Sequence, residues 1–175
     1  MPLKNNTKSF SMTDKSVVSI MHCFLSVVFF GFIILFGLTG CSKGSGAKTA
    51  DDFSDVANYN GYVLSDITND YGQKSSIDSA VVAQDPDYTY QIEFYECSNG
   101  YAKTAFEQLK SDVIETIGDN PSQESASEEK GGESYSISGG GNYYRLKRID
   151  DTLMYGFGPE KNKSQIDDLF EEMDY

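Results

Sequence analysis

Tryptophan is absent from the 175 residues, histidine occurs once and cysteine three times. So few cysteines cannot build a multi-disulfide scaffold, and a lone histidine cannot seed a histidine-rich metal cluster. Basic side chains are scarce as well, 14 against 27 acidic ones, for a net charge of -13. The positive footprint needed to hold nucleic acid is missing, and no nucleic-acid partner is expected. The length allows one domain or two very small ones.

What the chain does have is a run of apolar residues at 17–38, interrupted only by Ser19, His22, Ser26, Gly31 and Gly37. A secretory core is usually ~7–15 residues and a membrane-spanning helix needs roughly 20, so length alone leans toward a span. The flank before it carries Lys4, Lys8 and Lys15 against Asp14. That positive side stays in the cytoplasm and sends the remainder outward.

The run ends in Leu38-Thr39-Gly40-Cys41. This resembles the lipobox of bacterial lipoprotein precursors: a leucine, two small residues and then cysteine. The resemblance implies a covalent diacylglyceryl group on the Cys41 thiol and cleavage just before it, with Leu38, Thr39 and Gly40 recognised by the peptidase. It also allows an N-acyl lipid on Cys41, and implies no other cofactor. Two or more acyl chains anchor a protein stably where one does not. The alternative is an uncleaved signal-anchor in which Cys41 is an ordinary juxtamembrane cysteine. The expected organisation is therefore a signal peptide at 1–40, a lipidated cysteine and flexible tether at 41–50, and one extracytoplasmic domain at 51–175 on the outer face of the cytoplasmic membrane. The tether is small, polar and glycine-rich. Within it residues 44–49 look superficially like a phosphate-binding loop, but the first glycine and the preceding strand are missing.

Removal of residues 1–40 leaves 11 basic and 26 acidic groups, a net of -15 over 135 residues, with no histidine. Cys97 becomes the only unmodified thiol, so no internal disulfide can form. Ser-His-Asp catalysis, Cys-His catalysis and ordinary zinc sites are all disfavoured, since each needs imidazole or several thiolates. Carboxylate-only chemistry of the glycosidase kind stays open.

The exported part reads as an alternation of helix and strand. A helix is expected from Asp51 and Asp52, with Phe53, Val56 and Ala57 on one face before Gly61. Residues 62–64 read as extended. Strands at 79–84 and 88–97 are joined by the turn Asp85-Pro86-Asp87, with Tyr88, Tyr90, Ile92 and Phe94 on the core face. The stripe Ala102, Ala105, Phe106, Leu109, Val113 and Ile117 marks a helix that stops at Gly118. Residues 119–133 have no large apolar side chain and are expected to form a solvated loop. Strands at 134–138, 142–149 and 152–157 follow, then a helix capped by Ser164 with Asp167 three residues on. The order α-β-β-α-β-β-β-α suggests an α+β fold, a two-layer sandwich with an antiparallel sheet of four to five strands and helices on one face.

Arg145, Lys147 and Arg148 form the one dense basic cluster, with Arg145 and Lys147 on the same strand face. They are a candidate site for an anionic ligand such as a wall polymer or lipid headgroup, or else they pair across strands with acids such as Glu93. The 12 tyrosines suit a recognition surface but also suit sheet positions with wet hydroxyls. No window matches a calcium loop; Asp85 with Asp87 and Asp150 with Asp151 are explained by turn propensity, and no metal site is expected. Cys97 stands next to the helix start expected at Ser98 or Asn99, which can lower a thiol's pKa, although a small packed residue is the simpler explanation. Phe53, Gly61-Tyr62, Asp66 and Thr152-Leu153 give the domain a layout similar to small lipoproteins of Gram-positive bacteria, a resemblance that brings no activity with it. The expected function is a non-enzymatic, membrane-anchored binding or interaction module with an envelope protein or polysaccharide as partner. The alternative is a carboxylate-dependent envelope enzyme acting on glycans.

Overall fold

Thr49 sets the start of the first element. Its hydroxyl accepts from the Asp52 amide at 3.1 Å while its own amide donates to the Asp52 carboxylate at 2.9 Å, a reciprocal cap on helix α1, Ala50–Tyr59. That bond holds the Asp52 carboxyl below its usual range. The computed structural model describes residues 48–72, 76–129 and 131–175, with Glu129 described by its backbone alone. The apolar run at 17–38, the lipobox residues Leu38, Thr39, Gly40 and Cys41, and the tether as far as residue 47 lie outside the described residues. Among the described residues no helix is long and apolar enough to cross a membrane.

After α1 come β1 (Val63–Asp66), a 3-10 turn (Thr68–Tyr71), β2 (Ile77–Gln84) and β3 (Gln91–Cys97), then helix α2 (Tyr101–Ile117). Strands β4 (Gln123–Glu129), β5 (Gly132–Gly139), β6 (Asn142–Ile149) and β7 (Thr152–Pro159) lead through a short 3-10 turn to α3, Lys163–Glu172. All seven strands join one antiparallel sheet in the order β1-β2-β3-β7-β6-β5-β4. The protein is thus a mixed helix and strand fold on a single antiparallel sheet.

Two expectations about that sheet are corrected. It has seven strands rather than four to five, and helices cover both faces rather than one. The reason lies in β2 and β3, whose alternate residues are apolar on both sides. Val81, Ala83, Ile92 and Phe94 pack under α1 and α3 with Phe53, Ile166 and Phe170, and Phe53 stacks on Phe94 with centroids 5.3 Å apart. On the other face Ala80, Tyr95, Cys97, Leu146 and Leu153 pack under Ala102, Phe106 and Val113 of α2. Neither set can be left in water, since burying each large apolar side chain is worth ~1.5–3 kcal/mol.

The expected loop at 119–133 contains strand β4. Its sequence QESASEE holds nothing apolar larger than alanine, yet it pairs with β5 from Gln123↔Ser138 to Glu129↔Gly132. Backbone pairing holds it, and as an edge strand it can stay polar on both sides, which guards the edge against further pairing. Tyr88 is also misplaced by periodicity: it is 57% exposed, with φ +56°, in the turn before β3. Finally, α3 starts at Lys163 with Asn162 in the cap position and no side-chain cap bond. Ser164 lies inside the first turn and donates to Gln165, and Asp167 is taken up by other partners.

Candidate functional site

The site begins with a glycine. On β7, Gly156 lies directly under α3: a methyl group there would stand 2.6 Å from Ile166 Cγ2 and 3.0 Å from Phe170 Cε2. The missing side chain lets α3 settle onto β7 and reach the neighbouring β6. There it stops, with its buried residues Ile166, Leu169 and Phe170 all within the core beneath α1 and α3. On the same side of the sheet β5 carries Ser134, Ser136 and Ser138 and β4 carries Gln123, Ser125 and Ser127, and among the described residues no helix packs there.

Cross-strand register puts this open face into rows. Arg145 of β6 lines up with Ser136 of β5 and Ser125 of β4, and Lys147 lines up with Ser134 and Ser127. The Ser127 and Ser134 hydroxyls are 2.7 Å apart. A third row consists of Tyr143, Ser138 and Gln123, in which the Ser138 hydroxyl is buried with no hydrogen-bond partner among the described residues. The described carboxylates of β4 and β5, Glu124, Glu128 and Glu133, alternate onto the opposite face.

The two β6 cations differ in circumstance. Arg145 donates to Asp167 Oδ1 at 2.7 Å and lies over the Phe170 ring, 4.7 Å from its centre. Tyr143 donates to the same oxygen at 2.6 Å, and Lys163 reaches Asp167 Oδ2 at 2.6 Å from one helical turn away. Burial pushes the Asp167 carboxyl up, but the bonds from Lys163, Tyr143 and Arg145 outweigh it and hold the group below its usual range. Lys147 has no ion pair among the described residues. Among the described side chains, Arg145, Lys147 and Lys163 stand against Asp167, a net positive set on a strongly acidic chain.

Of the three basic residues expected to act together, the fold unites Arg145 with Lys147 and sends Arg148 to the other side. Arg148 pairs with Glu133 at 3.1 Å and donates to the Asp150 carbonyl at 2.9 Å, both side chains being largely covered. Glu93, an expected partner for this cluster, faces α2 instead; the partner of Arg145 is Asp167. Lys163 was not foreseen, although its i, i+4 spacing to Asp167 on a helix is a readable signal.

A concavity of about 560 Å³ lies between the end of α1, the start of β3 and α3, lined by Asn60, Tyr62, Tyr90, Gln165, Asp168 and Glu171 among others. The Tyr62 and Tyr90 hydroxyls are 3.3 Å apart with the rings edge to face. Burial raises the Tyr62 hydroxyl far above its usual range. Asp168 and Glu171 are exposed on α3.

The other candidates resolve into structure. The Asp85 carboxylate accepts from the amides of Asp87, Thr89 and Tyr90 at 3.3, 2.5 and 2.8 Å. Asp150 occupies a left-handed turn position at φ +49° and donates its amide to Gly131. Cys97 is 7% exposed, and burial, with Asp78 and Asp151 nearby, pushes its thiol up to about 11, opposite to an activated thiol. Among the described residues no group of three or more His, Cys, Asp or Glu could hold a metal ion.

No protein-family model matches the chain, and no curated protein is significantly similar to it. Among solved structures it is similar to a GTP binding regulator from Thermotoga maritima, with 15% identity over 73% of this chain and 85% of that one and a TM-score of 0.45.

Proposed function

We propose that the chain is a lipoprotein anchored through Cys41 to the outer face of the cytoplasmic membrane, and that its domain is a binding module for an anionic envelope ligand. The lipobox and the basic and apolar segments before it support the anchoring. The binding role is carried by one observation: Lys147, which has no ion pair among the described residues, stands beside Arg145 on a sheet face that α3 leaves open. In an acidic chain such a face draws anions to one place and repels them elsewhere.

Anchoring is tested by feeding cells a clickable palmitate analogue. Label is expected on the wild-type chain and absent from Cys41→Ala; label retained in that variant overturns the anchor. The binding role is tested by placing a photo-crosslinker at Ser136 and, as a control, at Lys103 on the exposed side of α2. Envelope material captured from Ser136 and not from Lys103 supports the module, and equal capture overturns it.

The alternative, a carboxylate-dependent enzyme acting on glycans, has its place in the groove of Tyr62 and Tyr90, where Asp168 and Glu171 stand beside aromatic rings suited to sugars. Release of reducing ends from purified wall by the wild type and not by Asp168→Asn with Glu171→Gln would establish it.

A further inference from the structure

The open face repeats itself. Row one is Arg145, Ser136 and Ser125; row two is Lys147, Ser134 and Ser127. Each consists of one cation followed by two hydroxyls on successive strands. The cations are two residues apart along β6, about 6.6 Å at a strand's rise per residue, and each row extends about 10 Å across three strands. A surface that presents the same chemistry twice at a fixed interval suits a ligand that does the same.

Resting on the binding-module reading, we propose that this face binds a linear phosphodiester-linked polyol. Successive phosphates lie against Arg145 and Lys147, and the intervening hydroxyls bond the serine rows. The cation spacing is of the order of that between consecutive phosphates in an extended three-carbon polyol phosphate chain. Serine suits the role because its hydroxyl both donates and accepts, so it can serve a phosphate oxygen or a polyol hydroxyl. Ser138, next along β5 on the same face, keeps a buried hydroxyl with no partner among the described residues. Charge selects the same ligand, since among the described side chains the cations here outnumber Asp167 and the strand carboxylates Glu124, Glu128 and Glu133 are turned to the far side.

A bilayer surface fits less well. The Arg145 side chain is only 20% exposed and is held by Asp167, and membrane adsorption needs protruding cations or an apolar wedge. A slender chain lying along the strands can approach side chains that a flat surface cannot.

The experiment uses the full chain in non-ionic detergent with immobilised poly(glycerol phosphate). Binding is expected, weakening as salt screens the contact. Lys147→Glu should lower affinity about tenfold or more, the factor set by ~1.4 kcal/mol. Ser134→Asp, an exchange at a partly exposed position, should weaken it in the same direction, and Lys103→Glu should leave it unchanged. Unchanged affinity in both Lys147→Glu and Ser134→Asp overturns the proposal. So does stronger competition, at equal charge, by phosphatidylglycerol in the micelles or by polyglucuronate than by free poly(glycerol phosphate). If the polymer fails to bind while the crosslinker at Ser136 still captures envelope material, the ligand assignment falls and the module stands.

Discussion

The Tyr95 hydroxyl donates to the carboxylate of Glu93, two residues earlier on β3, in the layer between the sheet and α2. Gln91 donates to the same carboxylate at 2.6 Å, and the Tyr71 hydroxyl lies 3.1 Å from that of Tyr95. Tyr155 stands opposite Glu93 across the β3–β7 ladder. A buried acid thus occupies the middle of a sheet face, satisfied by hydroxyl and amide donors rather than by a cation.

Burial raises the Glu93 carboxyl above its ordinary value of 4.5, and the bonds from Tyr95 and Gln91 only partly offset this. A carboxyl raised on folding stabilises the protein fully below that ordinary value, and the contribution is lost as pH climbs through the raised one. The difference in melting temperature between Glu93→Gln and wild type should therefore shift in favour of the variant as pH rises above 4.5. A difference that stays flat from pH 4 to 8 would show that Glu93 is ionised in the folded protein.

Asp167 behaves in the opposite sense. Its folded value lies below the usual 3.8, so its contribution is present above that value and disappears as acid takes pH down through the lowered one. Asp167→Asn leaves Arg145 and Lys163 partly covered and without their acid, and should cost about 1–3 kcal/mol in urea unfolding near neutral pH. The same change makes the open face more positive. Binding to poly(glycerol phosphate) should strengthen while stability falls, a pairing of signs that a purely structural role for Asp167 does not produce.

Gly156→Ala forces a methyl group against Ile166 and Phe170. Crowding of this kind usually costs about 1–3 kcal/mol, and here it lifts α3 away from β7. The measured loss should be accompanied by faster hydrogen exchange in α3 and not in α2. Uniform exchange in both helices would contradict the close fit at Gly156.

Asp85→Ala removes the acceptor shared by the amides of Asp87, Thr89 and Tyr90, and should cost about 1–3 kcal/mol in chemical denaturation. Tyr88→Gly acts on the same turn in the other direction. A tyrosine at φ +56° bears strain of about 1 kcal/mol that glycine does not. This variant should be at least as stable as wild type despite losing a large side chain, and a clear loss would mean that Tyr88 makes contacts its 57% exposure conceals.

Helix α2, with its stripe from Ala102 to Ile117 and its stop at Gly118, was legible because i, i+3 and i, i+4 spacing is local information. Strand β6 was legible for the same reason, from residue 142 to 149. The shared face of Arg145 and Lys147 follows from alternation along one strand, and the absence of histidine from residues 41–175 follows from counting. Strand β4 was hidden because an edge strand needs no apolar side chain; only its pairing with β5 reveals it. Glu93 and Tyr95 alternate with Ile92 and Phe94 along β3, so spacing puts them opposite the expected core face, and only α2 lying across that side buries them. The separation of Arg148 from Arg145, the arrival of Lys163 at Asp167 and the two cation and serine rows all depend on which strands and helices become neighbours. Spacing along the chain encodes which side a residue takes within one element. Sheet order, register and the face each helix crosses arise from contacts between distant residues, and these assemble the candidate site.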